Sequence, residues 1–276
     1  MPDGSLQRFE VEESPIMETG LARRYPGIRT YRAVGIDDAT ATARLDITPS
    51  GFHAMIQGGS GTVFVEPNAD TGNYRSYSKQ ALAAARSAEE QSAHFSCATE
   101  GDVKYSGTLA NRLRYRTGSQ LRVYRLAVAA TGEYTAYHGG TQAGALSAIV
   151  TAINRVNQIY GRDLAIGFVL VSSNSQLVFT DSASDPYSNS NGLAMLSENQ
   201  ATIDAVIGPA NYDIGHVFST GGGGVASIAS VCGTNKAMGV TGLPNPSGDP
   251  FYIDYVAHEI GHQLGANHTF NGTTSS

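Results

Sequence analysis

His258-Glu259-Ile260-Gly261-His262-Gln263-Leu264-Gly265-Ala266-Asn267-His268 is the stretch from which the rest of the chain is read. In the pattern H-E-x-x-H-x-x-G-x-x-H each fixed position has a physical job. His258 and His262 stand four apart. On an α-helix that leaves them about 40° apart around the axis and roughly 6 Å along it, so both imidazoles reach one ion. Glu259 sits beside them, placed to take a proton from a water at that ion. Gly265 lets the chain leave the helix through a left-handed turn that a β-carbon would penalise. That turn brings His268 back as a third nitrogen ligand. Three neutral imidazoles with one position left open are the donor set of catalytic zinc. A helix with incidental surface histidines does not account for five specified residues at fixed spacing.

Working outward, residues 254–264 read as the helix that carries this motif, after a Pro-rich breaker at 243–250. Upstream, strand and helix alternate. Residues 121–130 read as a strand, 140–160 as a helix with Ala145, Ile149, Ala152, Ile153, Val156 and Ile159 on one face, and 164–171 as a strand buried on both faces. A strand–helix–strand unit of this length implies a parallel pair with a right-handed crossover. Further strands are expected at 176–180, 214–218 and 225–231, and a second helix at 195–207. Before residue 118 the pattern is different. Runs at 28–34, 41–48, 52–57 and 62–66 are short, β-branched or aromatic, and separated by turn residues, as antiparallel strands are. Residues 1–20 read as an extended or poorly ordered lead-in, and 79–91 as a connecting helix.

Composition narrows the function. The net charge is −6 with no large basic block, which argues against nucleic acid or an anionic membrane surface as partner. No apolar run approaches the roughly 20 residues of a membrane span. Met1-Pro2-Asp3-Gly4 leads into polar residues instead of a signal peptide, so a secreted protein has already lost its signal.

His258 to His268 resembles the extended zinc signature of the metzincin metallopeptidases. The surrounding chain resembles their bacterial reprolysin-like (adamalysin-like) branch. The likeness rests on Tyr212-Asp213-Ile214-Gly215-His216-Val217-Phe218, Gly221-Gly222-Gly223-Gly224-Val225-Ala226 and Ile253-Asp254-Tyr255-Val256-Ala257. It runs from about Leu121 onward, with a weaker likeness to that branch's pro-region before it. The resemblance implies a mixed α/β fold, a metzincin-type twisted sheet with an active-site helix over 119–276, behind a β-rich pro-region over 1–118. It also implies a secreted zinc endopeptidase, made as a latent precursor, with one catalytic Zn2+, protein or peptide substrates and its own pro-region as partner. There are departures. Thr269 stands where typical reprolysins carry Asp, and the family's Met-turn lies downstream of the third histidine, whereas the last methionine here is Met238. The catalytic domain therefore reads as truncated before that turn. The rival reading is a zinc-bound but inactive protein-binding or adhesin module. Glu259 argues against it, because a purely structural zinc site needs no general base.

Other residues carry weaker signals. Cys97 and Cys232 leave several states open: a bridge between them, a bridge from Cys232 to a cysteine beyond Ser276, inert thiols, or a Cys97 thiolate that caps the zinc of a latent precursor. Gly221, Gly222, Gly223 and Gly224 suit a sheet edge against which an extended substrate adds as a strand; the alternative is a flexible surface loop. Asp181, Asp185, Asn189 and Asn191 offer oxygen ligands for Ca2+, or simply turns. Arg112, Arg114, Arg116, Arg122 and Arg125 around Thr117-Gly118-Ser119 read either as a processing site or as a charged strand. His216 reads as a core or supporting residue near the site. His53, His94 and His138 read as incidental.

Overall fold

The computed structural model describes residues 1–68, 71–85, 97–99 and 120–268. The arginines at 112, 114 and 116, the glycine-serine break at 117–119, the end of the helix expected at 79–91, and Thr269 lie outside the described residues.

Two sheets flank one long helix. The first sheet is an antiparallel meander of β1 (Phe9–Glu13), β2 (Arg29–Gly35), β3 (Thr42–Thr48), β4 (Gly51–Gly58), β5 (Gly61–Asn68) and β6 (Asn73–Ser78), paired in chain order. The four expected strands fall within two residues of β2 to β5. Two edge strands were not foreseen: β1 inside the lead-in, and the polar β6. Both are mostly exposed, so neither shows the alternation that marks a buried face. Between β1 and β2 lies α1 (Thr19–Arg24), and α2 (Lys79–Ala85) follows β6.

The second sheet holds β7 (Arg122–Ala130), β8 (Ile166–Leu170), β9 (Ile214–Ser219), β10 (Gly224–Ala226) and β11 (Gly239–Gly242), in the order β10-β11-β9-β7-β8. All are parallel except the edge strand β10. Between β7 and β8 run α3 (Gly132–Tyr137) and α4 (Gln142–Leu164), the expected crossover. Alternation along β7 divides the core. Leu126, Val128 and Ala130 pack with Ile149, Ile153 and Val156 of α4, while Ala127 and Ala129 face Met195 and Ile203 of α5 (Gly192–Ile207) on the other side.

Helix α4 is buried from Ala145 to Gln158 almost all round because both sheets press on it. Its apolar face meets the second sheet. Its other face carries Thr151, Asn154, Arg155 and Gln158 and meets polar groups of the first. Thr151 Oγ1 donates to Asp46 Oδ2 (2.8 Å), Asn154 Nδ2 to Leu45 O (2.9 Å), Gln158 Nε2 to Thr42 Oγ1 (2.9 Å) and Arg155 Nη2 to Glu66 Oε1 (2.9 Å). Arg155 is 1% exposed and lies over the rings of Phe64 and Tyr252. Residues before β2 also join the second sheet's core: Ile16, Met17, Leu21 and Ile28 pack there, and Leu170 N donates to Ile16 O.

Three expectations need correction. Residues 176–180 do not form a strand; a 3-10 turn (Asn174–Leu177) stands there. Asn174 takes the strand's place, accepting from Val128 N (2.7 Å) and donating to Val128 O (3.0 Å). The strand expected over 225–231 stops at Ala226, and a left-handed Ala229 turns the chain away. The active-site helix is composite. After α6 (Gly248–Phe251) come wider π turns over Tyr252–Ala257, then regular α7 (His258–Gln263). Such a π insertion shifts the register of everything downstream, and these insertions gather at functional sites. No helix among the described residues is long and apolar enough to cross a membrane.

Candidate metal centre

The motif histidines converge. His262 Nε2 lies 2.9 Å from His258 Nε2, and His258 Nε2 lies 3.2 Å from His268 Nε2. His262 Nδ1 is 2.7 Å from the Ala266 carbonyl, so it carries the proton and Nε2 offers its lone pair. Gly265, at φ +102°, makes the turn that returns His268. A fourth donor comes from the far side of the chain: Cys97 Sγ lies 3.4 Å from His262 Nε2. The four ligand atoms lie within 4.8 Å of one another. Ring nitrogens aimed at each other without protons repel unless a cation lies between them. At Zn–N near 2.05 Å and Zn–S near 2.3 Å, tetrahedral zinc needs N···N of about 3.3 Å and N···S of about 3.5 Å, close to the separations found. Burial first, then the neighbouring rings, pushes His258 down to about 4, and burial lowers His268 as well, so both are unprotonated near neutrality. The donor set fits zinc.

Glu259 is fully buried, and its Oε1 lies against Gly224, where a β-carbon would overlap it. Burial, then the Cys97 sulfur, pushes its carboxyl up to about 9. Along the rim, residues 97–99 lie beside β10, joined to it by an isolated parallel bridge. Cys97 pairs with Gly224 in parallel sense, Ala98 N donates to Gly224 O (2.9 Å), and Ala226 N donates to Thr99 Oγ1 (2.8 Å). The same Thr99 hydroxyl reaches Glu259 Oε2 at 3.4 Å.

Of the sequence candidates, His258, Glu259, His262, His268, Cys97 and Gly224 come together. Gly221, Gly222 and Gly223 do not line the rim; they form the turn before β10, with Gly222 and Gly223 at positive φ, packed near the start of α5. A bridge between Cys97 and Cys232 is excluded, since both thiols are free and Cys97 is held among the histidines. Asp181 and Asp185 accept bonds from Ala183, Ser184 and Tyr187, closing local turns, and Asp185 also accepts from Gly132 N at the start of α3. Among the described residues no second cluster of three or more His, Cys, Asp or Glu accompanies them. Sequence reasoning passed over Thr99, which no spacing rule links to Glu259. It also passed over Gln263, for which the only sequence signal was a polar residue directly after a metal-binding histidine.

A fold with a motif helix beneath an antiparallel edge strand, and three imidazoles beside a buried carboxylate, defines a metallopeptidase. Residues 120–276 match the metallo-peptidase family M12B, reprolysin-like, and the chain belongs to that family. In fold it is similar to the crystal structure of metalloproteinase-II from Bacteroides fragilis, with TM-score 0.53 and 13% identity over 98% of this chain and 80% of that one. None of the curated proteins compared matches it.

Proposed function

We propose that this chain is the latent form of a zinc endopeptidase that works outside the cell, with residues 1–118 as its pro-region. The observation that carries the reading is the convergence of His258, His262 and His268 beside a buried Glu259, with Cys97 as the fourth donor. Zinc held there would supply Lewis acidity, making a water more acidic and polarising the scissile carbonyl. The protein's residues do the rest. Freed of Cys97 and opened to water, Glu259 would take the proton of the attacking water and return it to the leaving amine. Gly224 O and Ala226 N, now spent on Ala98 and Thr99, are the groups that would bond an extended substrate backbone.

The same contacts support latency. With a metal held by the three histidines, Cys97 would take the position that a water needs; Thr99 engages Glu259, and the three residues occupy the edge. The test is zinc content and casein cleavage by the full chain and its Cys97→Ala variant, with and without a chelator. The reading expects stoichiometric zinc in both and chelator-sensitive cleavage that rises in the variant. A chain that binds no zinc, or cleavage indifferent to chelator, overturns it. Appearance of the protein in the culture medium of its producing cells tests the extracellular placement, and retention inside them contradicts it.

A further inference from the structure

Gln263 stands directly after a ligand histidine, is fully buried, and uses every polar atom of its side chain. Its Nε2 donates to Gly215 O (2.9 Å) and Lys236 O (3.2 Å). Those two bonds fix the amide's orientation and turn Oε1 toward His216 Nδ1, 2.8 Å away. His216 Nδ1 must therefore carry the proton, which leaves Nε2 to accept from Thr241 Oγ1 (2.8 Å). His216 lies on the central strand β9 between Ile214 and Phe218, on the face that otherwise packs the apolar core. A polar chain thus runs from the motif helix α7 through β9 to β11, at 0% exposure for Gln263, His216 and Thr241.

Its geometry points at Glu259. Residues 259 and 263 are four apart and share one face of α7. Beneath them, β10 and β11 present glycines on one face. Gly224 pairs with Thr241 and Ala226 with Gly239, so Gly224, Thr241 and Gly239 share that face. A β-carbon at Gly224 would overlap Glu259 Oε1, and one at Gly239 would overlap Gln263 Oε1 and press on His216 Nδ1. Two side chains of the helix are thus seated in two glycine troughs, and only the second seat is held by hydrogen bonds to the sheet's central strand.

We infer that Gln263, bonded to the central strand through Gly215 and His216, is a positioning residue. It fixes the rotation and depth of α7 against the sheet, and so sets where the Glu259 carboxylate stands relative to the three imidazoles. The inference rests on the reading of this centre as a peptidase. Displacement of a reacting group by about 1 Å costs up to a hundredfold in rate while leaving binding groups in place.

The experiment uses the full chain carrying Cys97→Ala as parent, with three further variants. Gln263→Met keeps the volume and deletes the hydrogen bonds. His216→Phe removes the donor to Gln263. His216→Asn keeps an N–H near the Nδ1 position and loses only Thr241. Zinc content, kcat and KM on a peptide substrate, and hydrogen–deuterium exchange over residues 261–266 are read for each. The expected result is one zinc per chain throughout and KM within about twofold of the parent. In Gln263→Met and His216→Phe, kcat falls roughly tenfold to a hundredfold and exchange over 261–266 quickens. His216→Asn recovers both. Parental kcat in Gln263→Met, His216→Asn failing as badly as His216→Phe, or exchange unchanged in all three would each overturn the inference. A parent that neither binds zinc nor cleaves refutes the peptidase reading instead, and the exchange measurement still decides whether Gln263 holds the helix.

Discussion

Arg155→Met is the substitution whose cost the structure defines best. Arg155 is 1% exposed, its guanidinium meets Glu66 Oε1 at 2.9 Å, and it lies 5.1 Å from both the Phe64 and Tyr252 ring centroids. Burial alone would raise the Glu66 carboxyl, but the Arg155 guanidinium, the Tyr77 hydroxyl and Arg75 together outweigh it and hold the group below its usual range. Breaking a buried pair by removing one partner costs about 3–5 kcal/mol, because the other charge stays buried. Glu66 keeps Tyr77 OH at 2.6 Å and Arg75 at 3.6 Å, which places Arg155→Met near the lower end, about 3 kcal/mol. Glu66→Gln leaves the more deeply buried arginine facing a neutral amide, about 4 kcal/mol. At roughly 2–4 °C per kcal/mol for a chain of this size, Tm falls by about 6–12 °C in Arg155→Met. Urea unfolding followed by circular dichroism at pH 7 gives both values, and the double variant completes the cycle. The double variant is expected to lose less than the sum of the singles. A loss under about 1 kcal/mol in Arg155→Met, or strict additivity, would refute the claim that this pair locks the first sheet onto α4.

Cys97→Ala in the full chain should raise peptide cleavage at least about tenfold, since a tethered thiol competes at an effective millimolar concentration. Thr99→Val should give a smaller rise, and an initial-rate assay against wild type checks both. Gly224→Ala should abolish cleavage without unfolding the chain, because the new β-carbon meets Glu259 Oε1; activity with circular dichroism tells this apart from misfolding. Gly265→Ala places a β-carbon at φ +102°, a strain of about 1–2 kcal/mol that should weaken zinc about tenfold in a competition titration. Stability should fall on acidification. Burial holds His216 and His138 down to about 4, below the ordinary 6.5, so the unfolded chain binds protons there that the folded chain refuses. That stability is present above pH 6.5 and is lost as pH falls from about 6.5 toward 4, with a slope of up to about 2.7 kcal/mol per pH unit from the two groups, offset by up to about 1.4 of opposite sign from Glu259, whose raised carboxyl binds its proton in the folded chain first. Glu66, held low, adds a further loss below its ordinary 4.5. Urea midpoints at pH 7, 5.5 and 4.5 check the trend, and a flat profile contradicts it.

Much of the centre was legible because its logic is local. The spacing of His258, Glu259, His262, Gly265 and His268 depends on one helical turn and one left-handed residue, and both follow from sequence. The crossover β7-α4-β8 was equally readable from the apolar runs. What stayed hidden depends on distance along the chain. That Thr99 reaches Glu259, or that Cys97 lies among the histidines instead of pairing with Cys232, is decided by how residues 97–99 add to β10. No periodicity encodes such an addition. The π turns at Tyr252–Ala257 were invisible because the same residues read as ordinary helix. The packing of α4 against the first sheet was not legible, since nothing in Thr151, Asn154 or Arg155 announces the strands that cover them.

The most direct test of the account is cleavage by the Cys97→Ala chain with and without Glu259→Ala, with zinc measured in both. The account predicts one zinc per chain in each, with cleavage falling at least about a hundredfold when Glu259 is lost. Zinc-loaded Glu259→Ala that cleaves at the parental rate, or a parent that holds no zinc at all, would contradict it.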